Sequence, residues 1–253
     1  MRRIGIALSI VLALMLSPDA AGAAELRVLS LGSVQIAAKA LAADFTKATG
    51  QPVALTIVAP AEIGQKLAGA PYDMVICSVP AMGALDQAGA LRPGSRSPLA
   101  RVGIGVMVRA GAPLPDVSTP SAFKQTLLAV RSIVHGDPAM PKQSGVVTMK
   151  ILTNAGVLDA VESKARSANL AEGFAMVAKG EVELGLFNLV ELPPGVRLAG
   201  PVPAPLQEYT SYEAAVLAQG AAPDAAQDFI KLMISAPARK TWEASSLEAY
   251  PYR

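Results

Sequence analysis

The sequence predicts two α/β lobes, each a mixed sheet flanked by helices, with a cleft between them. Three observations carry that expectation. Strand and helix patterns alternate at short spacing from residue 26 to residue 88, as in a sheet covered by helices. A second set of such patterns follows a Gly- and Pro-rich stretch at Gly111 to Pro120. A proline-rich segment, Pro193 to Pro205, then suits an extended crossover returning the chain. The expected division is 24–100 for the first lobe, 101–204 for the second, and 205–253 for the return to the first.

Leu26 to Leu31 is a short β-rich run ending at Gly32-Ser33. The Ala-rich stretch after it puts Ile36, Ala40, Leu41 and Phe45 on one helical face. Thr49-Gly50 stops that helix, with glycine just past its end. Val53 to Val58 reads as the second strand, and a helix follows from about Glu62 to Leu67. Asp73 to Ser78 is the third strand and Met82 to Ala88 the third helix. Pro93-Gly94-Ser95 is a turn, and Val102 to Val108 a strand with no helix before it. The second set comprises a helix at Ser121 to Ala129, a strand at Ser132 to His135, and a helix at Ser144 to Ala155. A helix at Leu170 to Lys179 and a strand at Val182 to Leu189 follow. After the prolines come a strand at Ser211 to Ala218 and an amphipathic helix at Asp224 to Ile234, with Phe229, Ile230 and Met233 on one face.

The first residues read as an export signal. Arg2 and Arg3 precede an apolar run from Ile4 to Leu16, and Ala21-Gly22-Ala23 offers a small-x-small cleavage pattern. The run is shorter than the roughly 20 residues that span a bilayer. No cysteine follows it, so a lipid anchor is not expected, and the mature chain from Ala24 should be free in the periplasm. Removing Arg2, Arg3 and Asp19 lowers the formal charge of +2 by one. A near-neutral chain with scattered basic residues argues against a nucleic-acid partner. The chain has one cysteine and one histidine, so it offers neither an internal disulfide nor a metal ligand set. Cys77, inside the apolar run Met74 to Val79, reads as a buried small hydrophobe rather than a reactive thiol.

In α/β sheets, ligands sit where strand ends meet helix starts. Gly32-Ser33, Ala59-Pro60-Ala61-Glu62, Cys77-Ser78, Asp137-Pro138 and Gln143-Ser144-Gly145 all fall at such places. Helix starts present unpaired N–H groups and a positive dipole end, which favour an anion. Alone, Ser33 or Ser144 reads as a helix cap. Together, on facing lobes, they read as an anion site.

Leu26 to Gly50, Pro71-Tyr72-Asp73-Met74-Val75-Ile76, Gly136-Asp137-Pro138 with Ser144-Gly145, and Gly180-Glu181 with Leu184-Gly185 together resemble the periplasmic molybdate-binding protein family. The likeness runs over nearly the whole mature chain. It implies a type II periplasmic binding fold, usually serving an ABC importer through an inner-membrane permease. No cofactor is expected, and a binding protein that must close around its ligand is commonly monomeric, although oligomeric state stays open on sequence alone. It carries ligand-binding roles to Ser33, Ser78 and Ser144, and a backbone N–H role to Leu170. Two positions depart from the family: its serine-rich turn before the second helix is Ala59-Pro60-Ala61 here, and its later tyrosine aligns with Asn188. These losses weaken an oxyanion cage, because a buried charge needs its full set of donors. Glu62, Lys142, Gln143 and Asn188 suit an elongated organic anion better, with carboxylates read by amides and one ammonium. Lys142, Gln143 and Tyr209 are the further selectivity candidates.

Arg101 to Arg109, Gly111 to Val117, Leu127-Leu128-Ala129 and Pro203 to Thr210 resemble a divergent branch of that family, similar to bacterial aconitate isomerases. That implies an alternative: moving a C=C bond beside carboxylates, which needs a base for a carbon-bound proton. Glu62 is the candidate base, with His135 behind it. Transport, isomerisation and ligand sensing therefore remain open on sequence alone.

Overall fold

The computed structural model describes residues 24–139, 144–190 and 192–252. The expected export signal at 1–23 lies outside them. Strands β1 (Leu26–Leu31), β2 (Val53–Val58) and β3 (Met74–Ser78) pair in parallel. Strand β9 (Tyr209–Val216) then runs antiparallel to β3. β3 is buried at every position and so reads as a continuous apolar run rather than an alternation.

Strand β4 (Ser97–Arg109) joins the two halves of the molecule. Its first half pairs with β9. Its second half pairs with β7 (Leu184–Asn188) and β8 (Val196–Pro201), both antiparallel. Strands β5 (Ile133–Gly136) and β6 (Ala165–Ala168) extend the sheet in parallel beyond β7. The resulting order is β2-β1-β3-β9-β4-β7-β5-β6.

The apolar core divides along the same line. One cluster takes residues from Leu26 to Val102 and from Tyr212 to Ala249. Two smaller clusters cover the faces of the second lobe's sheet. Ile104, Val106, Leu184 and Leu186 point to one face, and Met107 and Phe187 to the other, the two-residue alternation of a strand.

Helix α1 (Gln35–Thr49) ends at Gly50, whose φ of 76° only glycine adopts without strain. Its buried stripe is Ala37, Ala38, Leu41, Ala42 and Phe45. Ile36 and Ala40 were expected on that face and instead face out, Ile36 with 62% of its surface exposed. The other helices of the first lobe are α2 (Ile63–Gly69), α3 (Val79–Gln87), α8 (Pro223–Met233) and α9 (Ala238–Ala244). α3 starts three residues before the expected Met82, because Pro80 sits readily in a first turn. α8 buries Phe229, Ile230 and Met233 as expected, and Phe229 packs 5.1 Å from Phe45. The second lobe holds α4 (Pro120–Ala129), α5 (Ser144–Asn154), α6 (Leu158–Glu162) and α7 (Leu170–Lys179).

Part of the expected extended crossover is β8, a paired strand. α6, β6, α9 and the short β10 (Glu248–Ala249), which pairs with β4, have no counterpart in the sequence reading.

Candidate anion-binding cleft

The strand register builds the floor of the cleft. Ser78 on β3 lies opposite Tyr212 on β9, and Tyr212 lies opposite Ala100 on β4. Two residues along β4, Val102 faces Thr210, and two further on, Ile104 faces Asn188 of β7. Residues opposite one another in a pair, or two apart on a strand, share a face. Ser78, Tyr212, Val102, Thr210 and Asn188 therefore line one continuous surface that crosses between lobes. A cavity of about 590 Å³ stands on it.

Helix starts form the walls. The 3-10 turn Gly32–Val34 leads into α1, Ser78 caps α3, Ser144 opens α5, and Asn169 and Leu170 open α7. Gly32, Ser33, Ser78, Ser144, Asn169 and Leu170 all line the cavity. Converging helix starts give a positive electrostatic environment without formal charge. Among the described residues, no Lys or Arg lines the cavity, and Asp137 is its one carboxylate. Asp137 Oδ1 accepts the Ala139 N–H at 2.9 Å, which closes its own turn.

Two glycines press the start of α5 against that turn. A side chain at Gly145 would strike the Asp137 carbonyl carbon, Pro138 N and Gly136 O. One at Gly136 would strike Ser144 Oγ. The Gly136-Asp137-Pro138 and Ser144-Gly145 pair thus sets where the Ser144 hydroxyl stands. On the opposite wall, Ser33 is hydrogen-bonded to Tyr212, which is 2% exposed. Burial pushes the Tyr212 phenol above its ordinary pKa, and the Ser33 hydroxyl acts the other way. Residues Ala244 to Leu247, just after α9, close a further side. Ser246 there adopts φ 60°, uncommon for a residue with a side chain.

Of the residues expected in the site, the structure brings together Ser33, Ser78, Ser144, Leu170 and Asn188. Lys142 and Gln143 lie outside the described residues. Glu62 does not reach the cavity. It is exposed, and its Oε2 accepts the Ala59 N–H at 2.7 Å, so the expected base instead caps its own turn. Tyr209 is also elsewhere. Its ring carries the Arg101 guanidinium at 3.8 Å, with Tyr252 on that group at 4.3 Å and Glu248 accepting from it at 2.6 Å. His135 is buried, with Nδ1 2.8 Å from the Gly136 carbonyl, which is a structural contact. The sequence reading missed Tyr212 and Thr210. Both lie in a strand whose alternation marks its buried positions without telling core from cavity floor.

Comparison with known proteins identifies the family and the fold. The family described as bacterial extracellular solute-binding protein matches residues 26–246. An aconitate isomerase from a Pseudomonas species is 35% identical over 237 residues, spanning 89% of this chain and 88% of that protein. The Azotobacter vinelandii periplasmic molybdate-binding protein superposes with a TM-score of 0.66 at 23% identity, covering 88% of this chain and 98% of the other. The sulfate-binding protein SubI of Mycobacterium tuberculosis gives 0.65 at 18% identity, with 90% and 87% covered. Both share the two-lobed periplasmic binding protein fold. On a match that runs almost from β1 to β10, this chain belongs to the bacterial extracellular solute-binding protein family.

Proposed function

We propose that this chain is a periplasmic solute-binding protein whose cleft closes around a small organic polycarboxylate and delivers it to an ABC-type permease. One observation carries the reading: several helix starts and the Ser33, Ser78 and Ser144 side chains converge on one cavity of about 590 Å³. Such a volume suits an organic ligand rather than a compact oxyanion. The turn at Ala59 and Pro60 lines the same cavity without a hydroxyl, and Pro60 has no N–H to give. In this reading residues 1–23 are the cleaved export signal. Residues 101–204 swing against 24–100 and 205–253 about the β4 crossing.

Ser33, Ser78, Ser144 and Asn188 hold the ligand, with the helix dipoles balancing its charge. Calorimetric titration with tricarballylate, a saturated tricarboxylate, tests this. Binding by the wild type, weakened roughly 10–100-fold in Ser33→Ala, is the expected outcome, since a hydrogen bond to a charged group contributes about 1.5–3 kcal/mol. Absence of binding by the wild type would overturn it.

The 35% identical relative favours a second reading, in which the cleft interconverts cis- and trans-aconitate. The chemistry is an allylic shift. A base takes a proton from the CH₂ carbon, the electron pair moves into the conjugated carboxylate, and a proton returns to the former vinylic carbon. Glu62 stands outside the cavity, so Asp137 is the carboxylate in place for this step. Growth of trans-aconitate from cis-aconitate, abolished in Asp137→Asn, would establish it.

A further inference from the structure

Three buried side-chain oxygens have no hydrogen-bond partner among the described residues: Thr148 Oγ1, Asn188 Oδ1 and Thr210 Oγ1. An unpaired buried polar atom costs about 1–3 kcal/mol, so proteins rarely keep one without a use. Two of the three, Asn188 and Thr210, line the cavity. Thr210 is only 4% exposed.

Their places in the sheet give them a fixed relationship. Thr210 lies on β9, on one side of β4, opposite Val102. Asn188 lies on β7, on the other side, opposite Ile104. Two strand spacings and a two-residue offset separate their Cα atoms by roughly 12 Å. Both side chains stand on the cavity face, so between them they bracket Val102 and the crossing strand.

From this we infer that Thr210 and Asn188 are the two ends of a molecular ruler on the cleft floor. Each reads one carboxyl group of a single elongated ligand. The inference rests on the polycarboxylate reading above and adds its specificity determinant. The Thr210 hydroxyl donates to a carboxylate oxygen. The Asn188 carboxamide offers an acceptor and donors side by side, which matches a carboxyl group in its acid form and accommodates a carboxylate through the N–H groups. A tetrahedral oxyanion is too compact to engage both ends. The floor therefore selects a chain of carbons with carboxyl groups at both ends.

Both side chains can be replaced by apolar groups of similar shape, and this gives a clean test. Thr210→Val and Asn188→Leu each remove an unpaired buried oxygen, so the unliganded variants should melt no lower than the wild type. Calorimetry with tricarballylate should show about a tenfold loss of affinity in each variant. Wild-type binding of tricarballylate with neither variant impaired would overturn the ruler and leave the cleft assignment standing. A loss in only one variant would also overturn it, because the claim needs both ends. A wild type that does not bind tricarballylate would overturn the polycarboxylate reading, and the ruler with it.

Discussion

Gln207 holds both sides of the Ile104 peptide. Its Oε1 accepts the Ile104 N–H at 2.8 Å, and its Nε2 donates to the Ile104 carbonyl at 2.9 Å. Nε2 also reaches the Val202 carbonyl at 3.3 Å. At this point β4 leaves β9, whose last pair is Gly103 with Tyr209, and begins to pair with β7. The amide side chain thus stands where a strand neighbour would, and Gly103 leaves the room, since a Cβ there would lie 2.8 Å from the Gln207 amide.

Replacing Gln207 with Leu should therefore cost about 1–3 kcal/mol, by leaving the Ile104 N–H without its partner. Gln207→Glu keeps the acceptor but sets a carboxylate oxygen against the Ile104 and Val202 carbonyls, so it should cost at least as much. Urea unfolding midpoints measure both.

Gly145→Ala should weaken the protein and its site together. The added methyl meets backbone at Gly136, Asp137 and Pro138, which cannot move aside as a side-chain tip can. About 1–3 kcal/mol of overpacking is expected, with loss of ligand affinity as Ser144 shifts. Gly64→Ala, in α2 with open space around its Cβ, should be neutral or slightly stabilising. Thermal melting with and without ligand separates the two.

Asp73 ties three segments of the first lobe. Its Oδ2 accepts the Arg27 N–H at 2.8 Å, its Oδ1 accepts the Ala222 N–H at 2.9 Å, and the residue is 4% exposed. Asp73→Ala leaves two backbone donors unpaired and should cost on the order of 2–4 kcal/mol, read from a denaturant curve.

Cys77 should behave as an inert core thiol. Burial, with a smaller contribution from Glu213, pushes it up to about 12. Alkylation at pH 8 should be slow in the native protein and fast once it is unfolded. The sign of the linkage follows. The unfolded thiol ionises near pH 8.5 while the folded one stays protonated, so stability falls as pH rises from there toward 12. Cys77→Ala should flatten that decline in pH-dependent melting.

The order of the major elements was legible because apolar runs and glycine stops mark them locally, as at Leu26–Leu31 and Gly50. Ile36 misled because an apolar residue in a helix's first turn matches the buried period while facing the cleft mouth. β8 was hidden by the prolines that flank and end it, although β4 supplies it with a paired edge. Ser33, Ser78 and Ser144 were legible as small polar residues at strand-to-helix junctions. Thr210 and Tyr212 were not, because only the register of β9 on β3 and β4 turns them toward the cavity. Glu62 looked available because its partner, the Ala59 N–H, is a backbone group that composition does not show.

The most direct test of the central claim is a proton NMR time course of the chain from Ala24 onward with excess cis-aconitate. A small polycarboxylate in the cleft predicts broadening of the cis resonances, relieved in Ser33→Ala. Appearance of trans-aconitate on top of that broadening would make the same cleft an isomerase. Sharp, unchanged cis resonances would contradict the account.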